Sequence, residues 1–116
     1  MDKALKIKKY EAKILDFLAE NQSFSTEQEG YERVIVSDKE HHHYQLLATG
    51  WATQSRFVNA ILIHLHIKAD GKVWLLENNS EIHVAEDLVR RGIPKNDIVL
   101  GFHPPQLRSF SGYAVA

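Results

Sequence analysis

Asp70-Gly71 is the tightest constraint in this chain. The pair separates two apolar stretches, residues 56–68 and 72–77, and both central positions of a type I′ hairpin require positive φ. A two-residue turn here pairs Ala69 with Lys72, Ile67 with Trp74, Leu65 with Leu76 and His64 with Glu77. Along the longer strand, Asn59, Ile61, Ile63, Leu65 and Ile67 share one face. Val58, Ala60, Leu62, His64 and His66 share the other. One face is then strongly apolar and the other mixed, as expected when helices cover a single side of a sheet.

The remaining elements fit around that hairpin. Residues 3–20 predict an amphipathic helix, with Ile7, Tyr10, Ile14 and Leu18 at helical spacing and Leu15 widening the stripe. Residues 25–30 are polar and acidic, a loop. Strands are expected over residues 31–37, where Val34-Ile35-Val36 supply β-branched bulk, and over residues 42–51. Asn79-Ser80 is positioned to cap a second helix over residues 81–91, with Ile82, Ala85, Leu88 and Val89 inward. Glu86–Arg90 and Asp87–Arg91 are favourable i,i+4 pairs on that helix. Gly92 supplies a left-handed C-cap, and Pro94 stops the helix from resuming. Ile98-Val99-Leu100 reads as a short edge strand, and Phe110 and Tyr113 are expected to pack on the body. The fold class is α+β: an antiparallel sheet of about four strands, with an N-terminal helix and a second helix near residues 81–91 packed mainly on one face.

Length and composition narrow the function classes. At 116 residues the chain makes a single domain, residues 1–116, large enough to bury its own core. It holds no cysteine, which removes disulfides, thiolate metal sites and cysteine nucleophiles and fits a reducing cytoplasm. The N-terminus lacks the apolar core of a signal peptide, and the run 60–63 stops far short of the ~20 residues that span a bilayer. A soluble, cytoplasmic protein is expected. The formal charge of −1 argues against a strongly nucleic-acid-binding surface. One basic excess exists, with Lys6, Lys8 and Lys9 at its centre; the solvated face of a helix is favoured over a phosphate-contacting patch.

Three constellations could carry function. Seven histidines suggest a metal: His43, His64 and His66 on one sheet face, with Glu77 nearby, would suit a divalent ion. That geometry requires a two- or four-residue loop at 52–55 placing His43 across from His64, and the spacing matches none of the strong metal motifs. No metal and no cofactor is therefore expected. No Gly-x-Ser-x-Gly elbow, Walker A loop or dinucleotide fingerprint is present, so an enzyme is not expected either. The third constellation is a binding surface. Trp51, Phe102, His103, Pro104, Pro105, Leu107 and Arg108 combine the aromatic and arginine side chains enriched at interface centres, with Arg108 the expected exposed anchor. For Trp51 and Phe102, packing of the tail onto its own domain is an equally good reading.

The wording of the C-terminal half adds a family. Leu88-Val89-Arg90-Arg91-Gly92-Ile93-Pro94-Lys95-Asn96-Asp97-Ile98-Val99-Leu100-Gly101-Phe102-His103-Pro104-Pro105, closing with Phe110-Ser111-Gly112-Tyr113-Ala114-Val115, closely resembles the XisI proteins. His43-Tyr44-Gln45-Leu46, Gly50-Trp51 and Asp70-Gly71-Lys72-Val73-Trp74 follow in the family's order, so the resemblance runs from about Tyr31 to the end. It implies a compact α+β domain and an accessory role in programmed excision of the fdxN element during cyanobacterial heterocyst differentiation. Recombination there belongs to a separate recombinase, and the resemblance implies contact with an XisH-like partner rather than catalysis. The family has no catalytic residue to carry over. Self-association as a homodimer is expected separately, because a half-apolar outer face (Val58, Ala60, Leu62, Val73, Leu75) needs a cover. A weak nucleic-acid-binding cofactor of the recombinase, using Lys6, Lys8 and Lys9, is the alternative.

Overall fold

The computed structural model describes residues 2–23 and 30–116, so most of the expected loop at 25–30 lies outside the described residues. Helix α1 spans Lys3–Gln22. Asp2 caps it, its carboxylate accepting the Ala4 N–H at 3.1 Å, which satisfies one of the free donors of a helix start. Tyr10, Ile14, Phe17 and Leu18 are its buried residues. The deepest aromatic is thus Phe17, one position outside the expected stripe, while Ile7 and Leu15 pack only at the margin.

Five strands follow where about four were expected: β1 Glu32–Asp38, β2 His43–Trp51, β3 Phe57–Ile67, β4 Val73–Asn78 and β5 Ile98–Leu100. They lie side by side in chain order. The first three pairings are antiparallel, but β5 runs parallel to β4, so the sheet is mixed rather than purely antiparallel. The parallel pairing needs a crossover, and helix α2, Val84–Arg90, provides it. Ala114 then bridges to Val99, its N–H donating to the Ile98 carbonyl at 2.8 Å, so the tail runs along the outer edge of β5. The edge of β1 carries no further strand among the described residues.

The β3–β4 turn corrects the expected register. The Lys68 N–H bonds the Lys72 carbonyl at 3.0 Å and the Gly71 N–H bonds the Lys68 carbonyl at 2.8 Å. Gly71 alone takes the left-handed conformation, at φ 89°, which is the three-residue loop ending in a glycine bulge rather than a two-residue turn. Ile67 therefore pairs with Val73 and Leu65 with Leu75, and a second irregularity restores the expected His64–Glu77 pair. A one-residue slip exchanges faces. Val73 and Leu75 enter the core, and Trp74 joins His66 on the outer side. A similar irregularity between Leu46 and Leu47 sets Ile61 beside Leu47, opposite in facing to Ile63. The outer face is thus built on Leu47, Ile61, Trp74 and the histidines, not on Val58, Ala60, Leu62, Val73 and Leu75.

The core lies between the inner sheet face and the two helices. Tyr44, Leu46, Ile63, Leu65, Ile67, Val73 and Leu75 meet Ile14, Phe17 and Leu18 of α1 and Val84, Ala85 and Leu88 of α2. The start of α2 differs from expectation. Ser80 donates its hydroxyl to the Asn78 side chain at 2.5 Å, and its oxygen accepts the Ile82 N–H at 3.2 Å. Those residues are spent on a turn, and the helix opens at Val84 behind His83, which makes no side-chain cap. Its end follows the expected pattern. The Gly92 N–H bonds the Val89 carbonyl and the Ile93 N–H the Leu88 carbonyl, both at 3.0 Å, with Gly92 at φ 104°. That is a Schellman motif, which no β-carbon-bearing residue would enter without strain. Asp87 pairs with Arg91 at 3.3 Å as expected, but Arg90 also turns to Asp87, at 3.4 Å, rather than to Glu86.

Candidate interaction site

The C-terminal segment is where apolar surface collects. After β5, Gly101 passes directly beside the sheet, its N–H bonded to the Leu75 carbonyl at 2.9 Å. Pro104 is extended, and Pro105 starts a 3-10 helix, Pro105–Phe110, as expected for a residue with φ already fixed. On this segment Phe102, Leu107 and Phe110 stand exposed, Phe110 at 84%. Phe110 therefore does not pack on the body as expected, whereas Tyr113 does. Phe102 and His103 lie with ring centroids 4.5 Å apart.

Arg108 is the second reversal. It is half-buried and turned inward: its guanidinium reaches the carbonyls of His103 at 3.2 Å, Gly101 at 3.4 Å and Val115 at 3.4 Å. It also lies 4.9 Å from the Trp74 ring centroid, where Lys68 approaches to 3.6 Å. A planar group with five donors suits this task, tying three turns of irregular backbone to one another. Arg108 thus braces the patch, and the exposed contacts are left to Phe102, Leu107 and Phe110. Leu107 was already part of the expected binding surface, whereas the exposure of Phe110 gave no signal in the sequence, because spacing along a 3-10 turn differs little from a packed tail.

Trp51 and Phe57 form a second, smaller apolar spot at the far end of the β2–β3 hairpin, in edge contact with ring centroids 5.2 Å apart. Both are more than half exposed, which decides against the packed reading of Trp51.

The three imidazoles do share the outer face, by a different register. His43 pairs with His66, and His64 with Gln45. His43 Nδ1 lies 3.0 Å from His64 Nε2, and the His43 ring stacks on that of His66 at 3.9 Å and 7°. His66 Nδ1 is 2.9 Å from the His42 carbonyl, so it carries the proton and donates. These nitrogens are engaged with one another and with backbone; among the described residues no group of three or more metal-ligating side chains converges. Burial first, and then repulsion from neighbouring imidazoles, holds the pKa of both His43 and His64 below the ordinary histidine value.

That depression has a sign. Folded His43 and His64 bind protons less readily than in the unfolded chain, so their contribution to stability is complete above the unfolded pKa of about 6.5 and declines as pH falls from there toward their folded values. Asp38 and Asp70, whose pKa values are lowered by hydrogen bonds from the neighbouring backbone and from His41, act only around and below pH 4. The thermal midpoint is expected to fall between pH 7.5 and 5, and His64→Gln to flatten that slope. An unchanged slope in the variant would refute the assignment.

The lysine stripe is divided. Lys6 is ion-paired with Asp97 at 3.0 Å and is withdrawn from any phosphate, Lys8 lines a cleft, and Lys9 points to solvent. No helix among the described residues is long and apolar enough to cross a membrane.

Comparison with known proteins agrees with this architecture. A family model described as XisI protein matches residues 1–115. The crystal structure of a XisI-like protein from Anabaena variabilis superposes with a TM-score of 0.86 at 34% identity, covering 95% of this chain and 99% of that one. The fdxN element excision controlling factor XisI from Anabaena variabilis superposes at 0.78 with 26% identity, over 96% and 99% of the two chains. No curated protein matches the chain. A family match over nearly every residue, together with a shared helix, mixed sheet and second helix, places the chain in the XisI family.

Proposed function

We propose that this protein is a non-enzymatic accessory factor of the excision type, acting through contact with an XisH-like protein while a separate recombinase does the chemistry. The observation that carries the reading is the exposed Phe102–Leu107–Phe110 patch, held in shape by Arg108 from behind. Exposed large apolar side chains on a backbone braced by Arg108 are the kind of anchor that dominates interface energetics. Tagged protein is expected to retain an XisH-like partner from native lysate, and Phe102→Ala with Phe110→Ser to abolish that retention. Retention unaffected by the double variant but lost on Lys8→Glu with Lys9→Glu would move the contact to the charged helix.

The outer sheet face supports self-association as well. Val36 is 43% exposed, and Leu47 and Ile61 are only half-buried. A second copy placed face to face would cover this surface, as twofold homodimers commonly do. Light scattering at micromolar concentration is expected to return twice the 13.3 kDa mass of one chain, and Leu47→Glu to return the single-chain mass. The single-chain mass for the unaltered protein would remove the dimer.

A further inference from the structure

Between the first turns of α1 and the turn joining β1 to β2 lies a cleft of about 330 Å³, lined by Ala4, Ile7, Lys8, Glu11, Lys39 and His42. Its size sits at the lower end of small-ligand sites. One wall is aliphatic, from Ala4 and Ile7. Another is a closed polar set: the Tyr44 hydroxyl donates to Glu11 Oε2 at 2.5 Å, and His42 Nδ1 lies 3.1 Å from that hydroxyl and 3.7 Å from the same carboxylate oxygen. Burial first, and then the Glu11 hydrogen bond, pushes the Tyr44 phenol far up, so it remains a donor at any ordinary pH. The Glu11 charge is thereby engaged within the protein.

The lysines make the contrast. Lys6 holds Asp97, Lys13 the Arg91 carbonyl, Lys72 Asp70, and Lys68 and Lys95 lie over the Trp74 and Tyr113 rings. Lys8, Lys9 and Lys39 have no such partner among the described residues, and of these Lys8 and Lys39 line the cleft. His42 adds a second departure. It is the only non-glycine residue among those described with positive φ, at 60°, and its ring is the one turned against Tyr44 and Glu11. A side chain in that conformation persists where its surroundings over-determine it, and such positions collect at ligand sites.

We infer that this cleft binds an aliphatic monocarboxylate, its hydrocarbon stem against Ala4 and Ile7 and its carboxylate toward the Lys8 and Lys39 ammonium groups. A phosphate dianion fits less well, because its two charges meet more repulsion from Glu11 than the single charge of a carboxylate does, and the aliphatic wall gains nothing. The site is separate from the tail patch, so its failure leaves the partner reading intact. Isotope-labelled protein titrated with hexanoate, butyrate, hexanol and inorganic phosphate at constant ionic strength tests it by amide chemical shifts. Saturable shifts are expected at Ala4, Ile7, Lys8 and Lys39, with hexanoate several-fold tighter than butyrate because each buried methylene adds affinity. Lys8→Gln with Lys39→Gln should weaken hexanoate at least tenfold and leave the thermal midpoint unchanged, since both side chains are exposed. Absence of saturation, an equal response to hexanol or phosphate, or unaltered hexanoate affinity in the double variant would overturn the assignment.

Discussion

Phe17→Ala is expected to destabilise the domain by about 3–5 kcal/mol, and Phe110→Ala by less than about 0.5 kcal/mol. The residue type and the substitution are the same, and the environments are opposite. Phe17 is completely buried where α1 meets the sheet, with the Arg91 guanidinium 5.6 Å from its ring centroid, whereas Phe110 is 84% exposed. Truncating Phe17 removes transfer energy and leaves a cavity that the surrounding isoleucines and leucines cannot close fully. Chemical denaturation of both variants measures the difference directly. Equal losses would mean that the tail packs as ordinary core and that the apolar patch does not stand free. A partner-binding defect in a Phe110 variant would then report lost folding instead of a lost contact.

Gly101→Ala carries the second large effect, about 1–3 kcal/mol destabilising. Gly101 does not adopt a left-handed conformation, so space rather than backbone freedom demands glycine here. A β-carbon would sit 2.8 Å from the Trp74 ring, 3.1 Å from the Leu76 side chain and 3.3 Å from the Leu75 carbonyl. The ring has little room to yield, since Lys68 and Arg108 both lie over it. Pushing Trp74 also disturbs Arg108 and with it the brace behind Phe102 and Leu107. The variant is therefore expected to lose stability and partner affinity together, in contrast to Phe110→Ser, which should lose affinity alone. Denaturant midpoints and pull-down yields for the two variants separate these outcomes, and a Gly101→Ala protein as stable as the parent would contradict the packing.

Much of the fold was legible because local chemistry and long-range packing agree. The apolar spacing of α1, the β-branched residues of β1 and the Gly92-Ile93-Pro94 stop each specify one conformation, and the structure follows them within a few residues. Register was less legible. Asp-Gly suits both a two-residue turn and a three-residue loop ending in glycine, and the choice moves Val73, Trp74 and Leu75 to opposite faces. Strand irregularities carry no composition signal, so the exchange of Ile61 with Leu62 was hidden as well. The parallel fifth strand was foreseen only as an apolar edge segment, because its pairing depends on the crossover and not on its three residues.

The candidate site was half legible for a related reason. Aromatics and prolines near Phe102 marked an unusual tail, and part of it, Pro105–Phe110, forms a 3-10 helix. Which side chains face outward depends on a 3-10 turn, and there the roles of Arg108 and Phe110 were reversed: the charged group is drawn in by three carbonyls and the ring is left in solvent. The histidines shared a face as expected, but by a different register, in which His43 lies against both His64 and His66.

The most direct test of the whole account is a calorimetric titration of an XisH-like partner into the folded protein and into its Phe110→Ser variant. A saturable one-to-one heat is predicted for the parent, with at least a tenfold loss of affinity in the variant, about 1.4 kcal/mol. Undiminished binding by a Phe110→Ser protein of unaltered stability would contradict the proposal that this molecule works through its braced C-terminal patch.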